Sequence, residues 1–137
     1  MVKAIMHGCN GHMGQVISQL VREDEEIEIV AGIDLLDCRD NGYPVYTDIW
    51  ACQEEADVII DFASAQATDE LLKYGVSRGI PMVLCTTGLS EEQLAAVEAA
   101  STKVAVLKSA NMSVGINLLL KVMQEVSRTL ADAGFDI

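Results

Sequence analysis

Three glycines near the N-terminus have the spacing of a turn that can hold phosphate groups. They belong to the segment Gly8-Cys9-Asn10-Gly11-His12-Met13-Gly14, which follows a short apolar run and precedes a helix-like stretch. Glycines in such a turn allow a tight bend, a close approach of pyrophosphate to the backbone, and close packing of helix on strand. The helix N-terminus adds N–H groups and the positive end of its dipole. The common fingerprint is G-x-G-x-x-G, so the second glycine is displaced here by one position.

An acidic residue lies where a dinucleotide site would need it. Asp34 comes 20 residues after Gly14, at the end of the second predicted strand. A carboxylate at that place accepts hydrogen bonds from the adenosine ribose hydroxyls. The turn and Asp34 together predict dinucleotide binding, and a purely structural turn is the alternative. No Gly-Lys-Ser/Thr follows the turn, which argues against a P-loop nucleotide triphosphatase.

Two further polar loops follow later predicted strands. One is Cys85-Thr86-Thr87-Gly88, and the other runs from Lys108 to Gly115. Parallel strands end at one edge of a sheet, and ligands bind there, so we expect both loops to face the nicotinamide half of a dinucleotide. Taken singly, the same residues are also typical of helix capping, with Ser113 or Asn111 as the N-cap of the last helix.

Apolar runs alternate with stretches of helical periodicity along the chain. The pattern predicts strands at residues 3–7, 27–33, 57–62, 82–85 and 104–107. It predicts helices at 13–22, 67–78, 90–100 and 113–132, a loop at 34–47 and a short helix at 48–55. Such alternation implies right-handed crossovers. We therefore expect an α/β fold, a Rossmann-like doubly wound parallel sheet with helices on both faces.

The last predicted helix is apolar on two faces. A helix of this kind needs cover on both sides, which either the sheet and a neighbour supply or a missing part of the protein would supply. One face carries Ile116, Leu119, Leu120, Met123, Val126 and Leu130, and the other carries Val114, Leu118 and Val122.

Composition limits the possible partners. The 137 residues hold 9 Lys and Arg against 21 Asp and Glu, a net charge of −12. Scattered basic residues argue against nucleic acid and against an anionic membrane surface. No apolar run reaches the ~18–20 residues of a membrane span, and no secretion signal is evident, so we expect a cytoplasmic protein.

The cysteines at positions 9, 38, 52 and 85 lack zinc-ligand spacing. We expect free thiols, most of them buried, and no metal.

Taken together, these motifs resemble the dihydrodipicolinate reductase family of lysine and diaminopimelate biosynthesis. The resemblance rests on the glycine turn, on Asp61-Phe62, on Thr86-Thr87-Gly88 and on Asn111-Met112-Ser113-Val114-Gly115-Ile116-Asn117. It implies a reductase that transfers hydride from NADH or NADPH to a cyclic, unsaturated dicarboxylate, giving tetrahydrodipicolinate.

The resemblance also implies which residues bind the cofactor. The pyrophosphate would lie on Gly8, Cys9, Asn10, Gly11, His12 and Met13, and the ribose on Asp34. The nicotinamide side would be formed by Cys85, Thr86, Thr87, Ser109, Ala110, Asn111 and Met112. His12 and Leu35 stand where family members carry arginines that suit a 2′-phosphate, so NADH is favoured over NADPH. Arg39 lies near enough in sequence to compensate in part.

The family pattern continues beyond this chain, into a Glu-x-x-His-His-x-x-Lys stretch and a Ser-Gly-Thr loop. In the family, these motifs supply the proton donor and the groups that bind the substrate carboxylates. The only histidines here are His7, interpreted as structural, and His12, so we assign no catalytic residue. We expect a dinucleotide-binding domain at 1–131 and, at 132–137, the start of a truncated substrate and tetramerisation domain. This chain would bind NADH without turnover. The full-length protein would be a homotetramer, and the dicarboxylate would bind only with the missing domain.

Three other interpretations remain. The first, a stand-alone dinucleotide-sensing module, is favoured by the lack of catalytic side chains. The second is the N-terminal domain of an aspartate- or homoserine-type dehydrogenase, which the Asn-Met-Ser-Val-Gly stretch disfavours. The third is a purely structural α/β domain, which leaves the three loop motifs unexplained.

Overall fold

A parallel sheet of six strands organises the chain. The computed structural model describes residues 1–136. The strands are β1 (Val2–His7), β2 (Ile27–Ile33), β3 (Val45–Tyr46), β4 (Val58–Asp61), β5 (Met82–Leu84) and β6 (Val106–Lys108). Their order is β3-β2-β1-β4-β5-β6, and neighbours pair in parallel. This is the order of Rossmann dinucleotide-binding folds, with the switch point between β1 and β4. The predicted α/β, Rossmann-like class is confirmed.

Four helices connect and follow the strands: α1 (His12–Arg22), α2 (Thr68–Arg78), α3 (Glu91–Ser101) and α4 (Val114–Asp132). The crossover through α1 runs from β1 to β2 and the crossover through α2 runs from β4 to β5, in the opposite direction along the sheet. Because both are right-handed, α1 and α2 lie on opposite faces of the sheet. The helix ends follow local sequence signals. Gly79 ends α2 in the left-handed region at φ 67°, and Ser90 with Gln93 forms a capping box at the start of α3.

The segment between β2 and β4 differs from its prediction. The expected loop at 34–47 contains β3, which pairs Val45 with Gly32 and Tyr46 with Ile33. A strand of two residues shows no periodicity, so no sequence pattern indicates it. The expected short helix is only a 3₁₀ turn at Ile49–Ala51, opened by Asp48, whose Oδ1 accepts the N–H of Trp50 at 3.0 Å.

The hydrophobic core joins the sheet to α2 and α3. Ile5, Ile59 and Met82 on three adjacent strands are fully or almost fully buried, as are Leu71 and Tyr74 on α2. Burial of one such side chain stabilises the fold by roughly 1.5–3 kcal/mol. The core therefore holds the strand ends of β1, β4 and β5 in fixed relation, which positions the loops that follow them.

The last helix is not part of this core. None of the nineteen residues of α4 is buried, and Leu118 and Leu119, on its two apolar faces, are 60% and 54% exposed. The two apolar faces are as predicted, but the described residues leave both uncovered. The predicted domain boundary after residue 131 falls at the end of α4 and stays a prediction, with Ile137 outside the described residues. Within residues 1–136, no helix is both long and apolar enough to span a membrane.

Candidate functional site

The glycine turn connects β1 directly to α1. Gly8 adopts a φ of 81°, a conformation that favours glycine, and its N–H donates to the carbonyl of Ile33 at 2.8 Å. The N–H of Gly11 then donates back to the Gly8 carbonyl at 3.2 Å. Gly11 is the N-cap of α1, and within the described residues no side chain caps this helix. The first N–H groups of α1 are therefore available to an anionic ligand.

Close packing requires glycine at two positions of the turn. A Cβ at Gly14 would lie 2.2 Å from the Gly8 carbonyl oxygen and 2.7 Å from Cys9 Cα. A Cβ at Gly8 would lie 2.9 Å from the carbonyl of Phe62, which follows β4. At Gly11 the nearest atom, the Gly8 oxygen, would be 3.3 Å away. The turn thus has the tight backbone packing that a pyrophosphate cradle requires.

Asp34 lies beside this turn. Its Oδ2 accepts the N–H of Asn10 at 2.8 Å, and its Oδ1 accepts the N–H of Leu35 at 2.8 Å. The side chain is half-buried at the end of β2. Each carboxylate oxygen keeps a lone pair for a further donor, such as a ribose hydroxyl. The structure therefore brings together the two features that the sequence pattern paired.

A buried amide holds the loop that follows Asp34. Asn41 donates from Nδ2 to Asn10 Oδ1 at 2.9 Å and accepts at Oδ1 from Gln15 Nε2 at 2.7 Å. The Asn41 carbonyl also accepts from the Arg22 guanidinium at 2.9 Å. One side chain thereby fastens the loop to the turn and to α1. Sequence analysis missed this residue, because an asparagine in a polar loop gives no signal of burial.

A cavity of about 770 Å³ opens between the turn and the strand ends. Its volume falls in the usual range of ligand pockets, roughly 300–1,000 Å³. The turn residues Gly8, Asn10 and Gly11 line it together with Asp34. Sequence analysis missed its far wall, because the wall combines residues that follow β3 with residues that follow β4 and lie on α2, and these segments share no motif. The wall comprises Thr47, Asp48, Ile49, Trp50, Phe62, Ala63, Ser64, Ala67, Glu70 and Leu71.

The loops after β5 and β6 meet farther along the same edge. Cys85 Sγ lies 3.9 Å from Met112 Sδ, which links the two loops. Thr86 is buried, whereas Thr87 is exposed. Burial raises the pKa of the Cys85 thiol, and the negative charge of Asp61 adds to the effect. The thiol is therefore neutral at physiological pH and packs as a small apolar group.

The second loop also supplies the N-cap of α4, which is Ser113, the first of the two predicted candidates. Ser113 Oγ accepts the N–H of Ile116 at 3.5 Å, and Asn111 Oδ1 accepts the N–H of Ser113 at 2.7 Å. The prediction of Ser113 as the N-cap is confirmed, whereas Asn111 bonds the backbone of the N-cap residue and is not itself the cap. Ser109 is half-buried and donates its N–H to the Leu84 carbonyl at 3.0 Å, while Ala110 is exposed.

Not every predicted residue reaches the cavity. Cys9 is fully buried behind the turn, so only its backbone is available to a ligand. Burial, with the charge of Asp34 as the next cause, raises the pKa of the Cys9 thiol to about 11. His12 and Met13 are exposed on the first turn of α1. The residues that line the cavity do not include the loops at 85–87 and 109–112.

All four cysteines are free thiols, as predicted. Three of them are buried and Cys38 is exposed, which also agrees with the sequence analysis.

Comparison with known proteins is consistent with this geometry. Residues 2–112 match the family model described as "Dihydrodipicolinate reductase, N-terminus". The 4-hydroxy-tetrahydrodipicolinate reductase of Caldanaerobacter subterraneus subsp. tengcongensis is 47% identical over 100% of this chain and 53% of its own length. The Clostridium novyi protein of the same name is 44% identical over 100% of this chain and 54% of its own. These matches favour the reductase family over the dehydrogenase alternatives.

Solved structures share the fold. The dipicolinate-bound dihydrodipicolinate reductase of Paenisporosarcina sp. TG-14 aligns with a TM-score of 0.77 at 23% identity, over 89% of this chain and 52% of that one. The myo-inositol 2-dehydrogenase of Lactobacillus plantarum aligns with a TM-score of 0.69 at 15% identity, over 90% of this chain and 41% of that one. This chain spans about half the length of the curated relatives it matches.

Proposed function

The chain belongs to the dihydrodipicolinate reductase family, and from this premise we propose that it is the NAD(P)H-binding part of a 4-hydroxy-tetrahydrodipicolinate reductase. The whole protein would reduce the cyclic dicarboxylate to tetrahydrodipicolinate in lysine and diaminopimelate biosynthesis. Bound NADH or NADPH supplies the hydride, and the residues of this chain bind and orient it. The observation that carries the proposal is the glycine turn with Asp34 fixed against its Asn10 N–H at 2.8 Å.

Three places along the sheet edge would each bind a different part of the cofactor. The turn from Gly8 to Met13 and the open N-terminus of α1 bind the pyrophosphate, Cys9 through its backbone alone. Asp34 binds the adenosine ribose. The loops at 85–87 and 109–112 lie along the nicotinamide, and the contact of Cys85 with Met112 supports a common surface there.

The surroundings of Asp34 favour NADH over NADPH. A 2′-phosphate would stand close to the Asp34 carboxylate, and like charges repel at this range. Leu35 lines the cavity beside Asp34 and is 85% exposed, so an apolar side chain occupies the place of a phosphate-binding arginine. His12 is exposed on α1 and stands where an arginine would bind a 2′-phosphate.

The remaining functions of the reductase belong, in this proposal, to sequence beyond this chain. Residues 1–131 form the cofactor domain, and residues 132–137 begin the domain that binds the dicarboxylate and makes a homotetramer. No residue of this chain is assigned the role of proton donor. We expect the protein to be cytoplasmic.

Calorimetric titration of the purified chain with NADH and NADPH tests the proposal. We expect saturable NADH binding that Asp34→Ala weakens about tenfold, the equivalent of about one hydrogen bond to a charged group. Asp37→Ala is the matched control. It removes a carboxylate from the same loop, and Asp37 does not line the cavity. Absence of binding of either nucleotide by a folded chain would contradict the proposal. Reductase turnover by this chain alone would contradict the assignment of catalysis to another domain.

A further inference from the structure

Three adjacent strands end in side chains that bind one another. His7 ends β1, Asp61 ends β4, and Thr86 follows β5 by two residues. All three are buried, with Asp61 only 1% exposed. The cofactor site proposed above includes Thr86 but neither His7 nor Asp61, so the role of this buried network has still to be explained.

The Asp61 carboxylate is the centre of the network. Its Oδ1 binds His7 Nδ1 at 2.7 Å and accepts the N–H of Ala63 at 3.1 Å. Its Oδ2 accepts the hydroxyl of Thr86 at 2.6 Å. A carboxylate only accepts hydrogen bonds, so His7 carries a proton on Nδ1. A buried carboxylate is tolerated because both of its oxygens are bonded in this way.

The Thr86 hydroxyl is held in one orientation. It has a single proton and two acceptors in range, Asp61 Oδ2 at 2.6 Å and the Ala63 carbonyl at 3.0 Å. The proton goes to the nearer, charged acceptor, because charge-assisted hydrogen bonds are shorter and stronger. Thr86 is thereby tied to β4. Its neighbours Cys85 and Thr87 are the residues proposed to lie along the nicotinamide.

We infer that Asp61 is a positioning residue for the nicotinamide half of the cofactor, acting through Thr86 on one side and braced by His7 on the other. The inference rests on the proposed function. It makes a separate prediction, because the Thr86 hydroxyl bonds to Asp61 and Ala63 and makes no hydrogen bond to the glycine turn or to Asp34 among the described residues. Loss of the Thr86 hydroxyl should therefore weaken binding of NADH but not of ADP-ribose, which has the adenosine and pyrophosphate and lacks the nicotinamide.

Calorimetry with both ligands on the 137-residue chain provides the test. We expect Thr86→Val to weaken NADH binding about tenfold and ADP-ribose binding less than about twofold. Thr86→Ser, which keeps the hydroxyl, should bind NADH like the wild type. The matched control is Thr68→Val, because Thr68 is equally buried and its Oγ1 has no hydrogen-bond partner among the described residues.

Each outcome bears on a different claim. Equal loss of both ligands in Thr86→Val, or loss of neither, overturns the inference. It is also overturned if the wild type binds NADH no better than ADP-ribose. A wild type that binds neither ligand overturns the proposed function itself, and the inference with it.

A second measurement needs no variant, in case Thr86→Val fails to fold. Hydrogen exchange of the wild-type chain should show protection of the amides at 85–87 with NADH and not with ADP-ribose. Equal protection by both ligands contradicts the inference.

Discussion

The backbone N–H of Asn10 donates a 2.8 Å hydrogen bond to Oδ2 of Asp34. This contact joins the turn after β1 to the residue after β2, so the carboxylate has a set orientation beside the backbone of the glycine turn. The same contact places a negative charge at the edge of an otherwise anion-attracting turn. That combination suits a ligand with phosphates on one side and neutral hydroxyls on the other.

We expect the charge around Asp34 to set the choice between NADH and NADPH. Leu35→Arg should raise NADPH affinity relative to NADH about tenfold, because a guanidinium in the cavity can bind a 2′-phosphate. Parallel titrations measure this ratio. Leu36→Arg is the control, since Leu36 is also exposed and does not line the cavity. Equal shifts in both variants would point to net charge rather than to a local contact.

The turn tolerates no side chain at Gly14. Gly14→Ala should lower the free energy of unfolding by about 1–3 kcal/mol and weaken NADH binding, because its Cβ would lie 2.2 Å from the Gly8 oxygen. Gly115→Ala in α4 should be neutral or stabilising by up to about 1 kcal/mol, since its nearest neighbour, Ser113 Oγ, is 3.8 Å away. Denaturant unfolding compares the two. Similar stabilities would contradict the packing of the turn.

A carboxylate outside the ligand site should give the fold a pH dependence. Tyr46 donates its hydroxyl to Glu54 Oε1 at 2.5 Å, and this hydrogen bond lowers the pKa of Glu54 below its usual 4.5. Because the pKa is lower in the folded state, the contribution to stability is present above about pH 4.5 and is lost as the pH falls through the folded-state pKa.

Tyr46→Phe tests this contribution. The variant should be less stable than the wild type by about 1 kcal/mol at pH 7, and the difference should shrink toward pH 3. Urea unfolding at several pH values measures it. A difference that stays constant with pH would mean that the hydroxyl stabilises the fold without involving the carboxylate charge.

The uncovered faces of α4 should make the isolated chain self-associate. Exposed apolar surface of this extent is typical of interaction sites, and sedimentation should depend on protein concentration. Leu119→Glu should weaken the association, because it places a charge within one apolar face. Gln124→Glu makes the same change in charge at another exposed position of α4 and should have little effect. A wild-type chain that is monomeric at high concentration contradicts this expectation.

Local signals in the sequence predicted much of this structure. The C-terminus of α2 is set by Gly79, and the N-terminus of α3 is set by Ser90 with Gln93. In both cases the signal lies within one turn of the helix end. The glycine turn and Asp34 were predictable because strand order and strand length place the ends of β1 and β2 side by side.

Contacts between distant residues were not predictable in the same way. The strand β3 exists through pairing with Gly32 and Ile33, so its two residues carry no pattern of their own. His7 was interpreted as structural, but its partner Asp61 is 54 positions away and only the pairing of β1 with β4 brings them together. The far wall of the cavity was missed because its residues come from two separate segments, after β3 and after β4, that only the sheet brings together.

The hydrogen bonds of Asn41 affect when the loop after β2 becomes ordered. Its links to Asn10, Gln15 and Arg22 are made by the polypeptide alone, so the loop is held before any ligand arrives. The conformational entropy of these residues, about 1–2 kcal/mol each for the backbone, is therefore lost during folding and not during binding. A nucleotide would meet a rigid rim, and most of its interaction energy would remain as affinity.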